Sequence, residues 1–471
     1  LRPRDAARAE VLSVTEAGGA TPAAPSRERD LWVAQTRAAP ESRLPTEFLR
    51  AQLVAGLRKA FDDAIAVERL PAPKEALNRW LFQCRSRVPG GPGRELLVPV
   101  QSVAQAIAVA ENTMGQELVA DAVEAEGAVS ADAVTAVRER AARAVATVVA
   151  QCPAAVEAPP QPSPTTTAFS VGSDGVARIT VAATSEISGA PTLRPARHEL
   201  LAPYVAKLRE LHRRVTGTED RNACDRDIAQ LLTRYRTAAG PKANDGSGHH
   251  CAVPARVMDW FAEHAGVAME GFASPLNCYF DTYCSAFADT DAVFGSCGSF
   301  FDHDFTAGAI EVNPPFVEEV MEPVRQRMIA QLRRAEEAGR ALSFLLVVPE
   351  WRNPVTPCIA RLEAMEGADA RFLSRSISVH REEHCYSDGF QHCLKQSLFR
   401  PVHNTMVYVL QTTAAAEKWP FDDARVASLK ATWAAVAAEA PPNPLIEAIK
   451  RGDVEERGGR RGHLAEAARE S

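Results

Sequence analysis

The sequence predicts two architectures in one chain, an all-helical domain over residues 41–245 and an α/β domain over 246–438. Three observations point there. Early apolar residues recur at helical spacing; beyond about residue 246 short apolar runs alternate with amphipathic segments; and a polar stretch, Asn244-Asp245-Gly246-Ser247-Gly248, separates the two textures. A chain of 471 residues also exceeds what one ordinary core accommodates.

Residues 1–40 are rich in Ala, Arg, Glu and Pro with weak periodicity and read as a disordered N-terminus. From Thr46, Phe48, Leu49, Leu53, Leu57, Phe61 and Ile65 lie on one helical face, and Leu77, Trp80 and Leu81 suggest a second helix after Pro71 and Pro73. Ala/Val-rich stretches between Val98 and Val149 continue the helical pattern. Residues 153–195, with Pro159-Pro160-Gln161-Pro162-Ser163-Pro164 and a Thr/Ser/Gly-rich tract, read as a linker or insertion. Helices resume near Pro203, with Leu208, Leu211, Ile228, Leu231 and Leu232 apolar, and stop near Gly240. Gly308 to Val312, Leu342 to Val348 and Thr405 to Leu410 are strand-like, with an amphipathic helix from Val317 to Arg340 between the first two. Strands alternating with helices imply a mainly parallel sheet covered on both faces, with ligands at the carboxyl ends of its strands. Residues 439–471 form a charged tail expected to fray.

A balance of 53 Lys+Arg against 60 Asp+Glu gives a net charge of -7, which argues against broad adhesion to nucleic-acid phosphates, so an RNA substrate requires a local basic patch. Ten scattered cysteines without a C-x-x-C pair fit a reduced intracellular compartment, and no run approaches the eighteen or so apolar residues of a spanning helix. A start at Leu1 rather than Met reads as a trimmed chain.

The most informative segment is Ile310-Glu311-Val312-Asn313-Pro314-Pro315-Phe316, a short strand running into a rigid polar turn. Each proline fixes its own φ and disfavours helix in the residue before it, holding Asn313 extended at the strand end. Methyl transfer from a sulfonium is an in-line displacement that needs an amine lone pair aimed at the methyl carbon. The Asn313 side-chain carbonyl and the Pro314 backbone carbonyl can each accept one N–H of such an amine, while Phe316 stacks on the base that carries it. No strong general base is required.

Upstream stands Phe272-Ala273-Ser274-Pro275-Leu276-Asn277, resembling the Phe-x-x-Pro element that borders the S-adenosylmethionine (AdoMet) methionine moiety in amino-methyltransferases. Asp291, Phe294, Gly295, Ser296 and Gly298 follow where a cofactor loop would lie. With Cys278-Tyr279-Phe280, Ser285-Ala286-Phe287, Asp289-Thr290-Asp291, Glu318-Glu319 and Pro349-Glu350-Trp351-Arg352, these residues resemble the phosphorylated-CTD-interacting-factor family of cap-specific adenosine N6-methyltransferases. Weaker echoes continue through Gln391-His392, Val402 to Thr405 and Lys418-Trp419-Pro420, so the likeness covers roughly residues 255–420.

The resemblance implies a Rossmann-like AdoMet-dependent methyltransferase domain that methylates N6 of the 2'-O-methyladenosine beside the 7-methylguanosine cap of messenger RNA. It implies catalytic and cofactor contacts at Asn313, Pro314, Pro315 and Phe316, further cofactor contacts at Ser274, Pro275, Asn277, Asp291, Phe294, Gly295 and Ser296, and substrate contacts at Glu318, Glu350, Trp351, Arg352, Asn353, Pro354 and Val355. Arg50 and Arg79 are candidates for cap phosphates. Partners by resemblance are the capped 5' end of mRNA and RNA polymerase II, with no membrane; the location is the nucleus.

Two departures stand out. Asn353 and Val355 occupy positions where Glu and Pro are expected, and Trp32 lacks a second Trp about twenty residues away, so no WW module is expected. His384, Cys385, His392 and Cys393 fit no compact zinc knuckle, and no metal site is assigned. Alternatives left open are adenine-N6 methylation of another RNA or DNA, and an inactive scaffold that binds capped RNA.

Overall fold

The computed structural model describes residues 44–71, 76–78, 80–81, 103–112, 114–127, 130–151, 165–183, 195–239, 251–352, 355–394, 396–444, 447 and 451. The chain divides into two compact units: one comprises residues 39–199 and 220–246, the other chiefly 200–219 and 247–471.

The first unit is built on helices. α1 (Leu44–Val67) buries Phe48, Leu49, Val54, Leu57, Phe61 and Ile65, so the apolar stripe read from the sequence is the face that packs. The helix stops where Arg69 turns to φ 53, which lets the Leu70 N–H reach back to the Ile65 carbonyl. α2 (Val103–Asn112), α3 (Met114–Glu126) and α4 (Ala131–Val149) share its core, which holds the fully buried Trp80. α4 begins at Ser130, whose hydroxyl accepts the Ala133 N–H.

This unit is not all-helical, which corrects the sequence-based expectation. Part of the segment read as a linker forms the antiparallel pair β1 (Thr165–Val171) and β2 (Val176–Ala183), which β3 (Ala196–Leu201), just beyond that segment, joins in a three-stranded sheet of order β1-β2-β3. β1 and β2 join through a tight turn in which Gly175 has φ 74 and Asp174 accepts the Val176 N–H. The period-2 signal was present in β2, with Ala177, Ile179 and Val181 buried on one face, but the paired β1 is rich in Thr and Ser, the residues that also mark loops. α5 (Ala202–Thr216) falls in the second unit; α6 (Arg221–Ala239) returns to the first. There Glu47 of α1 takes charge-assisted hydrogen bonds from Arg234 of α6 and from Arg50 at 3.0 Å, all three residues being buried.

The second unit is the α/β domain. α7 (Ala255–Ala265) leads into β4 (Val267–Ala273), then β5 (Tyr283–Ser285), the short α8 (Ala288–Asp291) and β6 (Gly308–Val312). α9 (Glu318–Glu337) connects to β7 (Leu342–Pro349). α10 (Pro357–Glu363), β8 (Leu373–Val379), the β9 (Tyr386–Ser387) and β10 (Leu398–Phe399) pair, β11 (Thr405–Gln411), α11 (Thr413–Lys418) and α12 (Asp423–Ala437) complete it.

The six-stranded sheet runs β5-β4-β6-β7-β11-β8; β5, β4, β6 and β7 are mutually parallel, whereas β11 runs antiparallel to both its neighbours. β6, β7 and β11 are buried along their whole length, as expected of strands covered on both faces. α7 and α12 pack together over a core that includes Leu345, Val347, Val407 and Val409, and α9 packs against β7. After β4 the chain moves to β5 on one side, then returns past β4 to β6 on the other. The carboxyl ends of β4 and β6 therefore flank a topological switch point, the usual ligand crevice of such sheets. No helix among the described residues is long and apolar enough to cross a membrane.

Candidate active site

β6 delivers Asn313 directly from its buried end, and the side chain is itself buried, at 8% exposure. Its Nδ2 donates to the Cys251 carbonyl at 2.6 Å. A backbone carbonyl can only accept, so this contact fixes which end of the amide carries the hydrogens. The opposite atom, Oδ1, is buried with no hydrogen-bond partner. A lone buried acceptor costs stability unless something fills it, and an amine N–H is a suitable complement. Phe316, three residues on, is half-buried against the sheet core and meets Tyr386 edge-on at 5.7 Å between ring centroids.

Behind Phe316 runs a buried polar chain. The His384 Nδ1 lies 2.8 Å from the His380 carbonyl and so must carry its proton; the Thr405 hydroxyl then donates to His384 Nε2 at 2.7 Å and accepts from the Tyr386 hydroxyl at 2.6 Å. Burial brings the His384 pKa down to about 4, keeping the ring neutral and the direction of the chain fixed. The Tyr386 hydroxyl is pushed well up, chiefly by burial.

Two carboxylates stand at the switch point. Glu270 of β4 pairs in register with Glu311 of β6, and they are 6% and 2% exposed. Glu270 Oε2 accepts the Tyr279 and Phe280 N–H groups at 2.6 and 2.9 Å, tying the loop after β4 down onto the strand. Glu311 Oε1 has no partner, and burial, reinforced by Glu270, drives its pKa well up. Sequence reasoning quoted Glu311 without giving it a task; the available signal was a Glu inside an otherwise apolar strand. Tyr386, Thr405 and His384 carried no comparable signal, because the chain they form exists only in three dimensions.

The other expected site residues fall into distinct groups. Asn277 Oδ1 accepts from the Ser274 N–H at 2.7 Å and the Ser274 hydroxyl at 2.8 Å, closing the Ser274-Pro275-Leu276-Asn277 turn at the end of β4. Asp291 is fully buried and accepts the Thr290 hydroxyl at 2.8 Å; Phe294 is fully buried beside His212; and Ser296 shares a 2.6 Å hydrogen bond with Ser285. These residues, with Gly295 at φ 99, build the turn beyond β5. Glu318 accepts the Cys358 N–H at 2.9 Å, at the start of α10. Glu350 accepts from Ser378, Asn404 and Arg352, and Arg352 also grips Glu363. Trp351 is buried and meets His403 edge-on, whereas Val355 is exposed. Asn353, Pro354 and Arg79 lie outside the described residues. Arg50, expected at a phosphate, instead sits buried beside Glu47.

Residues 207–389 match the family model described as phosphorylated CTD interacting factor 1 WW domain. The chain is 39% identical over 206 residues to the mRNA (2'-O-methyladenosine-N(6)-)-methyltransferase of Homo sapiens, an alignment covering 43% of this chain and 28% of that protein. To the Mus musculus protein of the same name it is 37% identical over 236 residues, 49% of this chain and 32% of the relative. The chain thus spans less than a third of these curated relatives. The expectation of no WW module is corrected to this extent: the family model bearing that name does match, over α5 to β9 and far from Trp32, which lies outside the described residues. From α5 through the switch-point residues to the sheet's second half, this chain is similar to the cap-specific mRNA (2'-O-methyladenosine-N6-)methyltransferases.

Proposed function

We propose that the chain is an AdoMet-dependent RNA methyltransferase acting on adenosine N6, with the 2'-O-methyladenosine beside the 7-methylguanosine cap of mRNA as its target. The observation that carries this reading is the buried, partnerless Oδ1 of Asn313, held by the Cys251 carbonyl at the end of β6. The crossover at β4 and β6 supports a Rossmann-like methyltransferase fold, and the named relatives supply the substrate class.

AdoMet would supply an electrophilic methyl group. Asn313 to Phe316 and the Ser274–Asn277 turn would hold the cofactor, with the turn carrying Asp291 to Ser296 beside them. Asn313 Oδ1 and the Pro314 carbonyl accept the two N–H bonds of the target amine, which directs its lone pair outward from both acceptors. Accepting both hydrogens also polarises the amine as positive charge develops on nitrogen. Phe316 stacks on the adenine, its ring steadied by the edge of Tyr386. The methylated amine then loses its proton without an assigned base. Association with RNA polymerase II and a nuclear location are further parts of the proposal and rest on the family likeness alone.

The test is methyl transfer from labelled AdoMet to a short RNA beginning with 2'-O-methyladenosine, with and without the cap, followed by nucleoside analysis. Cap-dependent N6-methyladenosine is expected. Equal activity on uncapped RNA would discard cap recognition while keeping the chemistry, and binding of capped RNA without methylation would leave the scaffold reading.

A further inference from the structure

Glu311 is the buried polar group at the switch point for which the methyl-transfer geometry has no use. It lies on β6 two residues before Asn313, which follows the strand's end, a separation of about 6.6 Å for extended backbone. Glu270 stands opposite it on β4, its Oε2 already holding the Tyr279 and Phe280 N–H groups, whereas Glu311 Oε1 has none. From β9, Tyr386 also faces Glu311, but its hydroxyl proton is directed to Thr405; Cys251, near Tyr386, has its thiol pushed up by burial and by Asp388. A second carboxyl beside the first, out of water, is tolerated in only two ways: it keeps a proton or it meets a cation.

We propose that Glu311, with Glu270 beside it, receives the α-ammonium group of the AdoMet methionine moiety and releases its carboxyl proton to solvent as that ammonium arrives. This rests on the AdoMet reading above. AdoMet carries two cationic groups. The sulfonium cannot donate a hydrogen bond and must stand next to Asn313 for transfer, whereas the ammonium donates three and is four bonds away along the methionine chain. The strand spacing from Asn313 to Glu311 matches that reach. A ribose hydroxyl would satisfy Oε1 but would not relieve two adjacent carboxylates. The empty site is then a neutral acid beside an anion, and the filled site an ammonium between two anions.

Titration calorimetry of the full chain and of Glu311→Gln, with AdoMet, S-adenosylhomocysteine and 5'-methylthioadenosine in buffers of different ionisation enthalpy, tests this. Glutamine preserves the shape of the neutral acid, and circular dichroism and a melting curve confirm that the variant folds. The expected result is an approximately tenfold to hundredfold loss of affinity for AdoMet and S-adenosylhomocysteine in E311Q, with 5'-methylthioadenosine, which lacks the ammonium, unaffected. Wild type should release close to one proton on binding AdoMet and bind more tightly as pH rises from 6 to 7.5; E311Q should show neither effect. Unchanged affinity and proton release in E311Q would overturn the inference, as would a loss confined to AdoMet or shared equally by 5'-methylthioadenosine. If wild type binds no AdoMet, the functional reading itself fails.

Discussion

Asn313 acts through the division of labour within one amide. Its NH2 is spent on the Cys251 carbonyl, so the carbonyl oxygen cannot rotate away from the crevice without breaking a 2.6 Å hydrogen bond. Asn313→Ala removes the acceptor for the amine while leaving Pro314 to Phe316 and the Ser274–Asn277 turn, the other groups proposed to hold the cofactor, in place. Turnover should fall by about a hundredfold to a thousandfold, the scale of losing one preorganised electrostatic contact, with AdoMet affinity nearly unchanged. Single-turnover rates beside equilibrium AdoMet binding measure the split; weakened AdoMet binding with normal turnover would contradict the role. Asn313 was legible in the sequence because two prolines and a strand end confine it. Glu270 was not, because its importance lies in strand pairing with Glu311, forty-one positions away, and register between non-adjacent segments is not written in either one.

Among the elements, α1 and α6 are joined by the Glu47–Arg234 ion pair, with Arg50 alongside. Burial alone would raise the Glu47 pKa, but hydrogen bonds and charge from Arg234, and then Arg50, more than offset it and bring it down to about 2. A folded-state pKa below the unfolded one stabilises the protein above the unfolded value, near 4.5, and that stabilisation is lost as pH falls from there through about 2. Glu47→Gln should destabilise the unit at neutral pH by about 3 to 5 kcal/mol, because it leaves a buried guanidinium without its counter-charge. It should also flatten the decline in stability between pH 4.5 and 2, as read by urea titrations across that range. An equally steep decline in the variant would show that other carboxylates dominate. The helices themselves were readable from apolar spacing, and so were β6, β7, β11 and α9, whose observed bounds lie within a few residues of the expected ones. β8, Leu-Ser-Arg-Ser-Ile-Ser-Val, was passed over, since small polar residues at alternate positions dilute the strand signal, as they do in β1.

For the second unit as a whole, stability depends on an unequal partnership within the sheet. β11 is paired along its length with β7 on one side and with β8 on the other, and β8 has no other strand neighbour in this sheet. Proline at the centre of such a strand removes a ladder hydrogen bond and places a ring where a backbone must approach. Val407→Pro should therefore prevent formation of the α/β unit while leaving the first unit's own core intact, read as loss of a protease-resistant fragment from about residue 251 onward with a fragment containing α1 to α4 retained. Loss of both fragments would mean that the units do not fold independently.

The reversed position of β11 also sets an order of events during synthesis. β8 ends at Val379 and β11 begins at Thr405, so 25 residues separate a strand from the neighbour that must come between it and β7. At about 5 to 20 residues per second the ribosome leaves that gap open for about 1 to 5 s. Throughout it β7 shows a bare, largely apolar strand edge, the template on which a nascent chain pairs with itself or with another copy. Slower elongation between Val379 and Thr405 would lengthen that exposure, so the yield of soluble protein should depend on the speed at which these few codons are read.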